Sequence, residues 1–223
     1  MNSLVLKLGG SVLYDENLKL NLEFLKKVVL WFENQRNYDN VFFVVGGGKL
    51  SRFLVNQVKD EIQFDSLKHQ IGIKVTHTNA KIFLALFNDK EIKYFDSLLD
   101  VFPNVKAGVL GGIMEGWSTD MVAANVAYNL GVKNVCKISD IDYIYTADPN
   151  IEQDAKPLET ITWKEYIQLF HEQIGEKHKP GMSAPVDIEC SLFCNEKGIS
   201  FRVSGGDLNR DLDEILKTGT LVS

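Results

Sequence analysis

Leu4-Val5-Leu6-Lys7-Leu8-Gly9-Gly10-Ser11 is the stretch that decides the architecture. Its first five residues, apolar except for Lys7, read as a strand buried on both faces, and Gly9-Gly10 closes it. The same punctuation recurs twice. Val41-Phe42-Phe43-Val44-Val45 runs into Gly46-Gly47-Gly48, and Ala107-Gly108-Val109-Leu110 into Gly111-Gly112, with Gly116 shortly after. These three spots hold eight of the 17 glycines, so glycine is gathered where strands end.

Helical patterns fill the intervals. Leu18, Leu22, Leu25, Val29 and Phe32 form an amphipathic stripe that stops in the polar stretch 33–40. Helices are also predicted over 50–62, 67–87 and 121–130, the last with N-cap residues in Ser118-Thr119-Asp120 and a stop at Gly131. Further on, 132–139 reads as a strand and 162–170 as a helix capped by Thr162. Residues 173–183 read as a polar loop, 184–197 as a helix, 199–203 as a strand and 208–216 as a helix. Thr220-Leu221-Val222 reads as a closing edge strand. The alternation predicts an α/β fold, an open and mostly parallel sheet sandwiched between helices. No linker or repeat interrupts it, so one domain over 1–223 is expected, with two lobes meeting near residue 117.

Composition narrows the function. The chain has 223 residues, 45% hydrophobic and 24% charged, the balance of a soluble globular protein. Twenty-four basic against 30 acidic side chains give a net charge of −6, which argues against nucleic acid and anionic membranes as partners. No apolar run approaches the ~20 residues of a membrane span. Met1-Asn2-Ser3 begins no signal-peptide pattern, so a cytoplasmic location is expected. Cys136, Cys190 and Cys194 lack a histidine pair at zinc spacing and read as reduced, inert thiols.

In open α/β sheets ligands bind beyond the carboxyl ends of the strands, where all three glycine clusters fall. Glycine allows the backbone to approach phosphate closely, and a helix N-terminus behind the loop adds a positive dipole end. The common nucleotide motifs are absent. Gly48-Lys49 is followed by Leu50, and Phe43 occupies the first glycine position of a P-loop. Ser51 stands where the last glycine of Gly-x-Gly-x-x-Gly belongs. Lys7 in an apolar strand is either an ammonium aimed at phosphate or a lysine reaching out to solvent.

Leu6-Lys7-Leu8-Gly9-Gly10-Ser11, the Gly46-Gly47-Gly48 loop with Arg52, Ser118-Thr119-Asp120, Asp142-Tyr143-Ile144-Tyr145-Thr146-Ala147-Asp148-Pro149 and the Gly219-Thr220-Leu221-Val222 ending come in the order of the amino-acid kinase family. The chain resembles that family from Leu4 to Val222, least over 86–105, and most of all its archaeal-type branch acting on UMP. The resemblance implies transfer of the γ-phosphoryl of ATP to UMP, giving UDP and ADP for pyrimidine biosynthesis. It implies Mg²⁺ carried by the ATP phosphates with no direct protein ligand, and a homo-oligomer, commonly a hexamer. An acceptor lobe over about 1–116 and a nucleotide lobe over about 117–223 follow from it.

Site roles also come from the resemblance. Lys7 would neutralise the transferred phosphoryl, and Gly9, Gly10 and Ser11 would cradle the ATP phosphates. Asp140, Asp142, Tyr145 and Asp148 would shape the adenosine pocket. Gly47, Gly48 and Arg52 would hold the acceptor phosphate. His69, Gly72, Thr76, Asn79, Gly112, Ser118 and Thr119 would line the UMP site. Asp187 would act as an acid near the phosphates. Each has a plainer alternative. Arg52 can be a solvated helix residue, Asp120 and Asp187 can cap their helices, and Asp148-Pro149 reads more simply as a turn. His69 stands where the family usually has aspartate, His77 where many archaeal members have arginine, and Tyr143 where glycine is usual. His171 and His178 read as surface residues, with His178 a possible neighbour of the nucleotide. Two other readings remain: a same-family kinase for another small phosphate such as isopentenyl phosphate, and a nucleotide-binding protein without turnover. Gln70, Lys74, Thr76, His77 and Asn79 favour a polar acceptor.

Overall fold

The computed structural model describes residues 2–88, 91–149, 151–174 and 184–223, without the side chains of 171–174. Along the chain these form β1 (Ser3–Leu8), α1 (Gly10–Leu13), α2 (Leu22–Asn34), β2 (Asn40–Val45), α3 (Gly48–Val58) and α4 (Asp65–Ala85). Next come β3 (Ile92–Phe95), β4 (Ala107–Leu110), α5 (Thr119–Leu130), β5 (Asn134–Ser139), β6 (Ile144–Tyr145), β7 (Pro157–Leu158) and β8 (Thr160–Ile161). The chain finishes with α6 (Trp163–Ile174), α7 (Ile188–Lys197), β9 (Ser200–Gly205), α8 (Leu212–Ile215) and β10 (Thr220–Val222). The main sheet has eight strands in the order β3-β4-β2-β1-β5-β9-β10-β8, and β6 pairs with β7 apart from it. Every pairing in the main sheet is parallel except β10 with β9.

Strand parity sorts the core into two layers. Leu4, Leu6 and Leu8 of β1, with Val41, Phe43 and Val45 of β2, pack under α2 and α4 against Phe24, Val28, Phe32, Ala80 and Phe83. Val5, Phe42, Val44, Val135 and Phe201 face the other way, onto α5, α6 and α7, where Val122, Val126, Trp163, Tyr166, Cys190 and Cys194 lie. Lys7 shares the parity of Val5, and Lys137 that of Val135, so both lysines rise on the α5 face. Because β1, β2, β4 and β5 run parallel, the loops after them open on one edge of the sheet.

Several boundaries differ from expectation. The helix predicted from Leu18 begins at Leu22, because Asn21 caps it by accepting from Phe24 N–H. Leu18 sits at φ +59° in a turn held by Asp15, whose carboxylate accepts from the N–H groups of Asn17 and Lys19. Asp187 starts α7 later than predicted, and α8 is one turn long inside 208–216. Thr220–Val222 is not an edge strand but lies between β9 and β8. Thr162 and Glu165 form a reciprocal capping box at the start of α6, which runs on to Ile174. The remainder of the predicted 173–183 loop, with His178, lies outside the described residues, as does the side chain of His171.

Candidate active site

Two adjoining cavities at this edge of the sheet hold most of the expected site residues. One, about 570 Å³, is lined by Lys7, Gly9, Gly10, Ser11, Lys137, Asp140, Tyr143, Tyr145 and Asp148, among others. The second, about 400 Å³, is lined by Ser51, Lys68, His69, Gly72, Ile73, Thr76, Gly112, Met114, Trp117 and Ser118, among others. Gly47, Gly48, Arg52 and Thr119 line both, so these four residues mark where the cavities meet.

The first two glycine loops pack backbone on backbone. A Cβ on Gly10 would lie 2.1 Å from Gly48 N, and one on Gly48 would lie 2.2 Å from Gly10 O. Gly48 also has φ +66°, which disfavours any side chain. It opens α3, so its N–H and that of Lys49 lack an acceptor within the helix and face the junction with the dipole's positive end. The N–H of Gly9, by contrast, is taken by Ile138 O at 2.7 Å, and that of Gly46 by Leu8 O at 3.0 Å. Gly9 therefore adds closeness to the loop rather than a phosphate donor.

Beneath the first cavity lies a buried charge cluster. Lys7 and Lys137 are direct partners in the β1–β5 register. They share one carboxylate: Asp120 Oδ1 is 3.0 Å from Lys7 Nζ, and Oδ2 accepts from Lys137 Nζ at 2.6 Å. All three residues are at most 7% exposed. Lys137 also donates to the Pro185 carbonyl. Among the described residues Asp120 is the sole partner of Lys7, whose ammonium keeps donors for an incoming anion. Burial lowers the Lys7 pKa, Asp120 opposes the fall and Lys137 adds to it, leaving it at about 8. Burial pushes the Asp120 carboxyl up, but Lys137 and Lys7 outweigh it and hold the pKa below its ordinary value. Two ammonium groups against one carboxylate leave a net positive charge, which suits a phosphate.

Asp120 is thus the clamp of this cluster, while the cap of α5 is Ser118, which accepts from Met121 N–H at 3.0 Å. Lys137 escaped notice in the sequence because 132–139 reads as an ordinary strand. The signal available was its likeness to Lys7, a lysine at inward parity near the end of an apolar strand.

Three expected site residues stand elsewhere. Asp142 lies outside both cavities, beside Gly205 and 3.6 Å from Arg210. Asp187 caps α7, accepting from Cys190 N–H at 2.9 Å, while its other oxygen accepts from the Ser118 hydroxyl. Both its oxygens are taken, and it lines neither cavity. Asn79 is buried under the second glycine loop, donating to Gly46 O at 2.8 Å and accepting from Tyr14 O–H at 2.6 Å. It places the loop rather than touching a ligand. Of the five polar residues taken to favour a polar acceptor, only Thr76 lines the second cavity. Ser51, Arg52, Lys68, His69, Ser118 and Thr119 supply the rest of that polarity. Replacing Asn79 with alanine leaves Gly46 O and Tyr14 O–H unpaired, a loss of about 1–3 kcal/mol. A melting temperature several degrees lower is the expected outcome; an unchanged melt contradicts the loop-holding role.

A divalent cation has no ready-made cage. Among the described residues, no three histidine, cysteine, aspartate or glutamate groups converge, and both oxygens of Asp120 face lysines. The donor set fits a cation that arrives on phosphate oxygens.

Known proteins share the sequence and the fold of this chain. The uridylate kinase of Staphylothermus marinus is 31% identical over 229 residues, covering 99% of this chain and 98% of the relative. That of Thermococcus kodakarensis is 28% identical over 98% of both chains. The crystal structure of uridylate kinase from Archaeoglobus fulgidus superposes with a TM-score of 0.77 at 23% identity, covering both chains in full, and shows the same fold. The profile of the amino acid kinase family matches residues 2–204. Glycine loops meeting across a parallel sheet, and a match over nearly the whole length, lead to one assignment: the chain belongs to the amino acid kinase family.

Proposed function

We propose that this protein is a UMP kinase, transferring the γ-phosphoryl group of ATP to the 5′-phosphate of UMP. The observation that carries the reading is the meeting of two cavities at Gly47, Gly48, Arg52 and Thr119, with the Lys7–Asp120–Lys137 cluster under the first. Phosphoryl transfer needs two phosphate-bearing reactants aligned and positive charge on the transferring oxygens, with little covalent help from the protein.

ATP fits the larger cavity, its base end beside Tyr143, Tyr145 and Asp148 and its phosphates over Gly10, Ser11 and Lys7. UMP fits the smaller one, its phosphate at Arg52 and the start of α3, its nucleoside toward His69, Gly72 and Thr76. An acceptor phosphate oxygen forms the new bond to the γ-phosphorus as the bond to the β-bridging oxygen breaks, and ADP leaves. The Lys7 ammonium neutralises the transferring group, and Arg52 grips two acceptor oxygens with its planar fork. Mg²⁺ is the cation this reading expects. It would be held by the ATP phosphates with Asp140 near its water shell, and would offset charge on the departing oxygens. Asp187 acts through Ser118 in this scheme, not on the phosphates.

Residues 1–116 mainly hold the acceptor and 117–223 the nucleotide, with Lys7–Ser11 crossing to the nucleotide side. Phe53, Leu54, Phe64 and Leu67 are exposed on and after α3, which supports a homo-oligomer, a hexamer by resemblance. Among the described residues, no helix is long and apolar enough to cross a membrane. A cytoplasmic place in pyrimidine nucleotide synthesis completes the reading.

The test is ADP release with ATP, Mg²⁺ and a panel of UMP, CMP, dTMP, AMP and isopentenyl phosphate. Turnover strongly favouring UMP is expected. Turnover favouring another acceptor keeps the phosphate chemistry and discards UMP, and silence with all five in a folded, ATP-binding sample favours a binding protein.

A further inference from the structure

We propose that His77 is a positioning residue for the acceptor, acting through the Gly112 peptide. The inference rests on the reading that the 400 Å³ cavity holds the acceptor. His77 lies outside that cavity. Its Nε2 is 2.6 Å from Gly112 O. A carbonyl only accepts, so Nε2 carries the proton, in the neutral ring as in the cation. One residue earlier on α4, the Thr76 hydroxyl accepts from Gly112 N–H at 2.6 Å and donates to Ile73 O at 2.6 Å. Consecutive α4 residues thus hold both polar groups of one residue.

The grip is tight. A Cβ on Gly111 would lie 2.8 Å from Thr76 Oγ1 and 2.9 Å from His77 N, so the strand end is pressed onto the helix. The imidazole is steadied by Tyr94 of β3, edge to face at 6.1 Å, and Lys81 covers that tyrosine ring at 5.4 Å to its centroid. From Gly112 the chain runs through Met114, Gly116 and Trp117, which form one wall of the acceptor cavity, to Ser118 and Thr119. The same wall is tied to α4 again by Glu115, which accepts from Ser66 and Gln70 at 2.7 Å each. His77 fixes where this wall begins. Loss of the donor frees the Gly112 carbonyl and loosens the wall against the acceptor, while the ATP cavity keeps its shape.

His77→Phe keeps a ring against Tyr94 and removes the donor, whereas His77→Gln keeps a donor of similar reach. UMP affinity by calorimetry, with KM for UMP and for ATP, separates the roles. The expected result is UMP binding and KM about tenfold weaker in His77→Phe, KM for ATP within twofold of the parent, and recovery in His77→Gln. Equal UMP affinity in the parent and His77→Phe overturns the inference, as does weakening toward both substrates alike or no recovery in His77→Gln. A parent protein that binds no UMP overturns the functional reading beneath it, and the inference with it.

Discussion

Lys7→Ala turns over roughly 10²–10³-fold more slowly than the parent, by analogy with removing one well-placed donor from a developing charge. The fold is retained, because the alanine leaves Asp120 paired with Lys137. The same lysine sets a pH limb. With its pKa at about 8 in the free protein, the ammonium needed for phosphate is lost as pH rises through that value. kcat/KM for ATP, which reports the free enzyme, falls about tenfold per pH unit beyond it. Stability moves the other way. The folded protein binds fewer protons than the unfolded chain between about 8 and the ordinary lysine value of 10.5, so unfolding free energy rises with pH across that window. Lys137 helps depress the Lys7 pKa, so Lys137→Met moves the limb to higher pH whatever it does to the plateau. Near-parental turnover by a folded Lys7→Ala protein removes Lys7 from the chemistry. A flat pH profile to pH 10 removes the titration.

Apolar strands closed by glycine were legible because buried parallel strands demand unbroken apolar runs, and a tight strand-to-helix turn demands glycine. The short outer elements were not. β3 alternates buried Ile92 with exposed Lys93 and is only four residues long, so it carries little of a buried strand's signature. β6, β7 and β8 are two residues each, below any pattern. Leu18 completed a helical stripe on paper, but the Asp15 carboxylate turned the chain there, a local hydrogen bond overriding periodicity.

At the site the division is similar. Lys7, Arg52, the glycines and the Ser118–Thr119 start of α5 are local features and could be named from sequence. The choice of Asp120 over Asp187 as the clamp could not. Both follow a helix-start pattern, and only the distance between α5 and two strands separated in sequence decides between them. Asn79 and His77 show the same limit. Both lie on the helix expected to line the acceptor pocket, yet helical rotation turns them toward backbone carbonyls instead.

Asp120→Asn carries the largest expected loss of stability. In the parent, a single carboxylate offsets two ammonium groups that neighbour each other in the β1–β5 register. Asparagine keeps the size and one acceptor oxygen but removes the charge, leaving two buried cations facing each other. Stripping one partner from a buried ionic group typically costs about 3–5 kcal/mol. For a domain of this size that lowers the melting temperature by roughly 6–20 °C. Repulsion also disfavours the Lys7 ammonium, so turnover falls even where the variant is folded. The loss should be reversible in a specific way. Lys137→Met in the Asp120→Asn background removes one of the two cations, so the double variant melts above the single one, a non-additivity of the kind neighbouring charges show. Inorganic triphosphate, a polyanion able to occupy the larger cavity, should raise the melting temperature of Asp120→Asn more than that of the parent, because it supplies the negative counter-charge that the two lysines lost with Asp120. An Asp120→Asn protein melting within 2 °C of the parent, or a double variant no more stable than the single, would show that the cluster is not held by that carboxylate.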